Sequence, residues 1–153
     1  MVQKTLVLGI GNTIRGDDAV GIFAVRAFKK ENKAAFVDVK ETQEAGLNLL
    51  GFLTGYKKAV IVDSIVTAKG KPGDIHRLTK SQLCGASSLY SSHQIGLATL
   101  IKLCKRLKID LPKDVILYAV EIEQQYSFSE NSLSSILEKR ITKVVSLIQE
   151  EVN

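Results

Sequence analysis

Three short, almost wholly apolar runs constrain this 153-residue chain more than any other feature. They cover residues 4–10, 58–63 and 115–120. A run that is apolar on both faces is typical of a central strand in a parallel sheet, because helices cover both sides of such a sheet. The run over 35–40 alternates more, which predicts a strand nearer an edge. The run over 74–78 follows a Pro-Gly turn and predicts a further edge strand, for which an antiparallel direction is open.

Helical patterns separate these runs. Residues 17–30 begin with an acidic pair and end in two lysines, which is the charge polarity that a helix dipole favours. Residues 46–55 predict a shorter helix, whereas 92–108 and 133–148 place apolar residues at spacings of three and four. Strands that alternate with helices predict an α/β fold. We expect a three-layer α/β/α sandwich around a mostly parallel sheet of about five strands, in one domain over residues 1–153.

Composition argues against several classes of function. The formal net charge is +5, but the basic residues are scattered in pairs without interleaved aromatics, so we expect no nucleic-acid partner. No apolar run approaches the roughly 20 residues of a membrane helix, and the N-terminal run is expected to be a strand rather than a signal peptide. Cys84 and Cys104 are too few for a CxxC metal site or a disulfide framework. A reducing, cytoplasmic compartment is therefore expected.

Three polar residues are predicted to meet at one edge of the sheet, since ligands of open parallel sheets bind outside the carboxyl ends of the strands. Asp18 follows the first strand, Asp63 is expected to be the last residue of its strand, and His93 lies in the first turn of a helix. A helix N-terminus disfavours imidazolium and keeps histidine neutral, which is the form that binds a metal. Two carboxylates and one imidazole suit a divalent first-row metal such as nickel and leave coordination positions open.

Each of these residues also has a purely structural interpretation. Asp18 could be a first-turn acid, Asp63 could cap a turn, and His93 could be an ordinary first-turn residue. The other histidine, His76, is expected at the surface of an edge strand. The glycine-rich segment 9–16 has only a superficial likeness to a dinucleotide fingerprint, because its third glycine comes too late and an acidic pair occupies the phosphate position. From spacing alone, a metal site is a hypothesis beside these alternatives.

Four blocks of the sequence, in order and at matching spacing, resemble the hydrogenase maturation protease family. They are Leu8 to Asn12 with Gly16 to Gly21, Ala45 to Leu47, Val60 to Ser64, and Ser92 to Leu97. The likeness runs from residue 5 to about residue 100, and the later strand and helix agree with it in type. The resemblance implies an endopeptidase that removes a short C-terminal extension from the large-subunit precursor of a nickel–iron hydrogenase after nickel has been inserted.

The resemblance also assigns site residues. The family's metal-binding acid corresponds to Asp18, its strand-end aspartate to Asp63 and its histidine to His93, so all three are expected to be metal ligands and catalytic residues. The nickel is expected to be the substrate's own, so that no permanently bound cofactor is required. Ala19 replaces a glycine common in the family, and the segment 41–44 is more acidic than is usual in the family. Two alternatives stay open: a non-cleaving, nickel-sensing assembly chaperone for the same subunit, and an unrelated small α/β hydrolase with its own metal.

Overall fold

The computed structural model describes residues 3–85, 92–123 and 131–153, and for residues 92–95 it describes the backbone only. Within these residues the sheet has five strands: β1 (Thr5–Ile10), β2 (Val37–Thr42), β3 (Lys58–Ile65), β4 (Ile75–Thr79) and β5 (Asp114–Glu121). Their order is β2-β1-β3-β5-β4. The first three neighbouring pairs are parallel and β4 is antiparallel to β5. Both predicted edge strands are therefore confirmed at the edges, and the apolar runs are central.

Five α-helices accompany the strands in the described part of the chain: α1 (Val20–Glu31), α2 (Leu50–Leu53), α3 (Lys80–Gly85), α4 (Ser92–Leu107) and α5 (Ser135–Val152). Short 3-10 turns, Gly16–Ala19 and Gly46–Leu49, precede α1 and α2. The helix predicted from 46 to 55 is shorter than expected, because Thr54 is extended and Gly55 has a φ of 89°. The last helix begins at Ser135 rather than 133, because Ser134 has extended backbone. No helix among the described residues is long and apolar enough to cross a membrane.

The helices cover both faces of the sheet, which confirms the predicted three-layer arrangement. One core cluster joins the sheet to α1 and α5 through Val25, Phe28, Leu137 and Val144. The other joins it to α2, α3 and α4 through Leu53, Leu83, Leu100 and Cys104. Cys104 is 1% exposed and is a free cysteine within this cluster. Each layer buries the apolar side chains that the helical spacing of three and four places on one face.

Close packing of α1 on the sheet fixes the carboxyl edge where the site was predicted. A Cβ atom at Gly21 would overlap the carbonyl oxygen of Val62 and lie 2.6 Å from that of Ile10. A larger residue would therefore push α1 away from the ends of β1 and β3. The same approach sets the 3-10 turn Gly16–Ala19 directly beside the end of β3.

Candidate active site

Asp18 and Asp63, which the sequence predicts as neighbours, are joined through Ser64. The Ser64 hydroxyl donates a hydrogen bond to Oδ1 of Asp18 at 2.8 Å. The backbone N–H of Ser64 donates to Oδ1 of Asp63, also at 2.8 Å. Ser64 is buried, with 7% of its surface exposed. One residue therefore fixes both carboxylates at the carboxyl end of β3.

The loop between β1 and α1 holds Asp18 in place. Gly16 has a φ of 54°, in the left-handed region that favours glycine, and this conformation turns the chain into the 3-10 turn. Oδ2 of Asp18 accepts a hydrogen bond from the backbone N–H of Asn12 at 3.1 Å. Asn12 in turn accepts one from the N–H of Ile14 at 3.1 Å. Each Asp18 oxygen has two acceptor directions, so these bonds orient the carboxylate and still leave it able to bind a cation.

The sequence predicts that Asp63 is the last residue of its strand, but this prediction is wrong, since β3 continues to Ile65. The reason is that Ser64 and Ile65 still pair with Val120 and Glu121 of β5. Side chains alternate along a strand, so Asp63 projects from the same face as Ile65, toward the layer that contains α4. It is only 1% exposed. A carboxylate this buried needs polar partners, and the Ser64 N–H is one of them.

His93 lies in the first turn of α4, as predicted, but its side chain lies outside the described residues. The start of α4 is nevertheless placed by backbone contacts. A Cβ atom on Gly96 would lie 2.8 Å from Cα of Gly46, in the 3-10 turn that follows β2. Because β2 is parallel to β1, this turn is at the same edge as Asp18. Among the described side chains, no group of three or more histidine, cysteine and acidic residues could hold a metal, and the role of His93 stays a prediction.

The two adjacent aspartates have different partners. Oδ1 of Asp17 accepts a hydrogen bond from the backbone N–H of Ser134, and its Oδ2 accepts one from the Ser134 hydroxyl, each at 2.7 Å. Ser134 directly precedes α5, so Asp17 attaches the beginning of that helix to the loop after β1. Asp18 instead faces β3 through Ser64. The acidic pair therefore combines a structural residue with a candidate site residue.

A second buried carboxylate, Glu121, lies at the end of β5 and was not identified from the sequence. It is 1% exposed, and its Oε1 is 3.1 Å from Nε2 of His76. His76 is therefore paired with a buried acid and only partly exposed, which corrects its interpretation as a simple surface residue. The signal was the same as for Asp63: an acid that directly follows an apolar run of the sequence. The predicted strand stopped at Val120, one residue too early.

A separate polar cluster lies at the end of the sheet opposite to Asp18 and Asp63. Burial alone would raise the pKa of Glu151, but hydrogen bonds from Arg77, Tyr118 and Lys58 outweigh burial and lower that pKa to about 2. Burial and the hydrogen bond to Glu151 raise the pKa of Tyr118 to about 12. A cavity of about 840 Å³ lies here, and neither Asp18 nor Asp63 lines it. This cluster joins α5 to the amino ends of the strands, far from the predicted site.

Comparisons with known proteins agree on one family. The family model of hydrogenase maturation proteases matches residues 23–151. The hydrogenase 2 maturation protease of Escherichia coli K12 is 26% identical over 152 residues, which cover 97% of this chain and 92% of that protein.

Solved structures show the same relationship. A hydrogenase maturating endopeptidase of Escherichia coli superposes with a TM-score of 0.79 and 26% identity, covering 98% of this chain and 92% of that one. A hydrogenase 2 maturation peptidase from a Thaumarchaeota archaeon gives a TM-score of 0.69 and 26% identity, with 99% of each chain covered. With the family model matching most of the chain, this protein belongs to the hydrogenase maturation protease family and is a peptide hydrolase of that family.

Proposed function

We propose that this endopeptidase removes the C-terminal extension of a nickel–iron hydrogenase large-subunit precursor after nickel insertion, and that it recognises the nickel carried by the substrate. The observation that carries the proposal is the pair of carboxylates, Asp18 and Asp63, fixed through Ser64 at the carboxyl edge of the sheet. Family membership supports the processing of a hydrogenase subunit. The position of α4 supports His93 as the third ligand, because its backbone reaches the same edge.

The donor set suits nickel as a transient ligand. Two carboxylate groups and one imidazole offer oxygen and nitrogen donors, and three donors leave positions for the ligands that the substrate already supplies. The Ser64 and Asn12 hydrogen bonds orient the Asp18 carboxylate before any metal arrives. Such outer contacts orient a ligand and tune its affinity. Nickel here is cargo of the substrate, and docking of the precursor requires it.

Cleavage requires an activated water at the peptide bond. In our proposal, the docked nickel or a carboxylate beside it takes part in removing the proton of that water. The hydroxyl oxygen then bonds to the carbonyl carbon, and the bond to nitrogen breaks as the nitrogen gains a proton. Asp18, Asp63 and His93 are therefore proposed to act both in docking and in catalysis.

Mass spectrometry of the precursor tests this function. The full chain is mixed with the unprocessed large subunit from its own source, with or without nickel, and the mass of the subunit's C-terminal segment is measured. We expect loss of a short segment only from the nickel-loaded subunit. A stable complex without cleavage would favour the assembly chaperone. Equal cleavage of the nickel-loaded and the nickel-free subunit would refute nickel recognition.

Matched variants connect the activity to the site. Asp18→Asn keeps the size of the side chain but removes its charge, and we expect it to reduce processing at least about 100-fold, because changing even an outer partner of a metal ligand costs about 10- to 100-fold. Asp17→Asn makes the same change one residue earlier, where the partner is Ser134. We expect that control to process at close to the wild-type rate. Equal losses in both variants would count against the assignment of Asp18.

A further inference from the structure

The carboxylate of Glu121 organises the loop that follows β3. Besides His76, its partners are the backbone N–H of Thr67, which donates to Oε2 at 3.2 Å, and the Thr67 hydroxyl, which donates to Oε1. A buried carboxylate is costly unless such donors surround it. The side chain of Glu121 therefore holds the first part of the loop through these hydrogen bonds.

The backbone of the same residue holds the far end of the loop. The Glu121 carbonyl accepts a hydrogen bond from the N–H of Gly73 at 2.9 Å, and its N–H donates to the carbonyl of Asp74 at 2.8 Å. In the middle of the loop, the N–H of Gly70 donates to the Thr67 hydroxyl at 2.9 Å. A Cβ atom on Gly70 would overlap the Glu121 carboxylate. The loop 66–74 thus closes around one acidic side chain.

This loop rises from the edge that carries the candidate active site. It begins directly after Ile65, two residues beyond Asp63, and Ile65 is the register partner of Glu121. The loop carries Lys69 and Lys71, both exposed. Neither lysine side chain has a hydrogen bond or ion pair within residues 3–85, 92–123 and 131–153. The loop therefore presents two exposed ammonium groups at the edge of the sheet that carries Asp18 and Asp63.

We propose that Glu121 is a positioning residue: it fixes the loop 66–74 so that Lys69 and Lys71 bind carboxylate groups of the extension that is cleaved. This inference rests on the proposed function and adds to it a chemistry for the substrate, an extension with acidic side chains within reach of the loop. Opposite charges at the rim of an interface favour capture and the correct register. The aspartates hold the metal end of the substrate and the lysines hold the departing segment.

The test separates positioning from mere stability by measuring KM and kcat individually for the nickel-loaded precursor. Gly70→Ala displaces the Glu121 carboxylate from the loop, whereas Gly51→Ala is the matched control, because nothing lies within 4 Å of a Cβ there. We expect Gly70→Ala and Glu121→Gln to raise KM about tenfold, which corresponds to 1.4 kcal/mol, with kcat nearly unchanged. A purely structural role would lower the folded fraction, and with it the apparent kcat, and would leave KM as it is.

The lysines are tested with the double variant Lys69→Ala/Lys71→Ala and with a precursor whose extension has its acidic residues changed to amides. Each change alone should raise KM, and the two together should raise it no further. An unchanged KM in the folded Gly70→Ala and double-lysine variants would overturn the inference. If the wild type binds the precursor without cleaving it, the proposed cleavage fails, and the same variants are then compared by Kd. Absence of both binding and cleavage would reject both proposals.

Discussion

Replacing Ser64 with Ala removes the hydroxyl that connects β3 to Asp18, but it keeps the backbone N–H that binds Asp63. The hydrogen bond from Ser64 Oγ to Asp18 is 2.8 Å long and partly buried, with Ser64 itself only 7% exposed. The chain offers a matched control in Ser134, whose hydroxyl donates to the neighbouring Asp17 at 2.7 Å in an exposed position. The same atom is removed from the same kind of bond in both variants. Only one of the two bonds belongs to the candidate active site.

The expected energies follow from burial. A hydrogen bond to a charged group contributes about 1.5–3 kcal/mol, and its loss costs most where the carboxylate is poorly hydrated. We therefore expect Ser64→Ala to lower the free energy of unfolding by about 2 kcal/mol. Ser134→Ala should cost about 0.5–1 kcal/mol, because water replaces its exposed hydroxyl. Processing by Ser64→Ala should fall about tenfold to 100-fold, because the Asp18 carboxylate is no longer held in one orientation.

The assay combines urea denaturation with initial rates of precursor cleavage, both at a temperature where every variant is folded. Ser134→Ala should cleave at close to the wild-type rate. Normal cleavage by a Ser64→Ala variant that lost stability as expected would show that the hydroxyl does not orient Asp18 for processing. An equal loss of activity in the two serine variants would show that the hydrogen bond to Asp18 has no special role.

Further predictions concern the stability of the fold. Glu151→Gln should lower the free energy of unfolding at pH 7 by about 2 kcal/mol, less than the pKa alone implies because its partner Arg77 is half exposed to solvent. This contribution is fully present above pH 4.5 and is lost as the pH falls to about 2, so urea denaturation across that range should show the two proteins converging. Gly21→Ala should destabilise by about 1–3 kcal/mol, because a methyl group meets two strand carbonyls, whereas Gly51→Ala should not; thermal unfolding compares them.

Much of the fold could be predicted because the strands are read from hydrophobic pattern alone. The central strands are apolar on both faces, one edge strand alternates more, and the other follows a Pro-Gly turn. Helix ends were less accurate, since they depend on single backbone conformations, such as the extended Ser134 before α5. The six-residue α3 was missed because it is too short to show a helical period.

The placement of two candidate site residues could be predicted because one follows a parallel strand and the other lies near the end of one. Asp18 and Asp63 were placed together because parallel strands bring their carboxyl ends to one edge. The hydrogen bond between Ser64 and Asp18 was not predicted, because the two residues are 46 positions apart in the sequence. Their contact in the fold depends on how α1 packs on the sheet. Glu121 and His76 are 45 positions apart on antiparallel strands, and their pairing required the register between β4 and β5.

We propose that Asp18, Asp63 and His93 recognise nickel in the substrate, and the ratio of two affinities shows whether they do. The Kd of the full chain is measured for the nickel-loaded and for the nickel-free precursor at low temperature, so that binding is measured before cleavage. Mass spectrometry verifies that the precursor is still intact. We predict tight binding of the loaded form by the wild type and a loaded-to-unloaded ratio near one for His93→Ala and Asp18→Asn. A wild-type preference that survives unchanged in both variants would exclude Asp18 and His93 as ligands of the substrate's nickel.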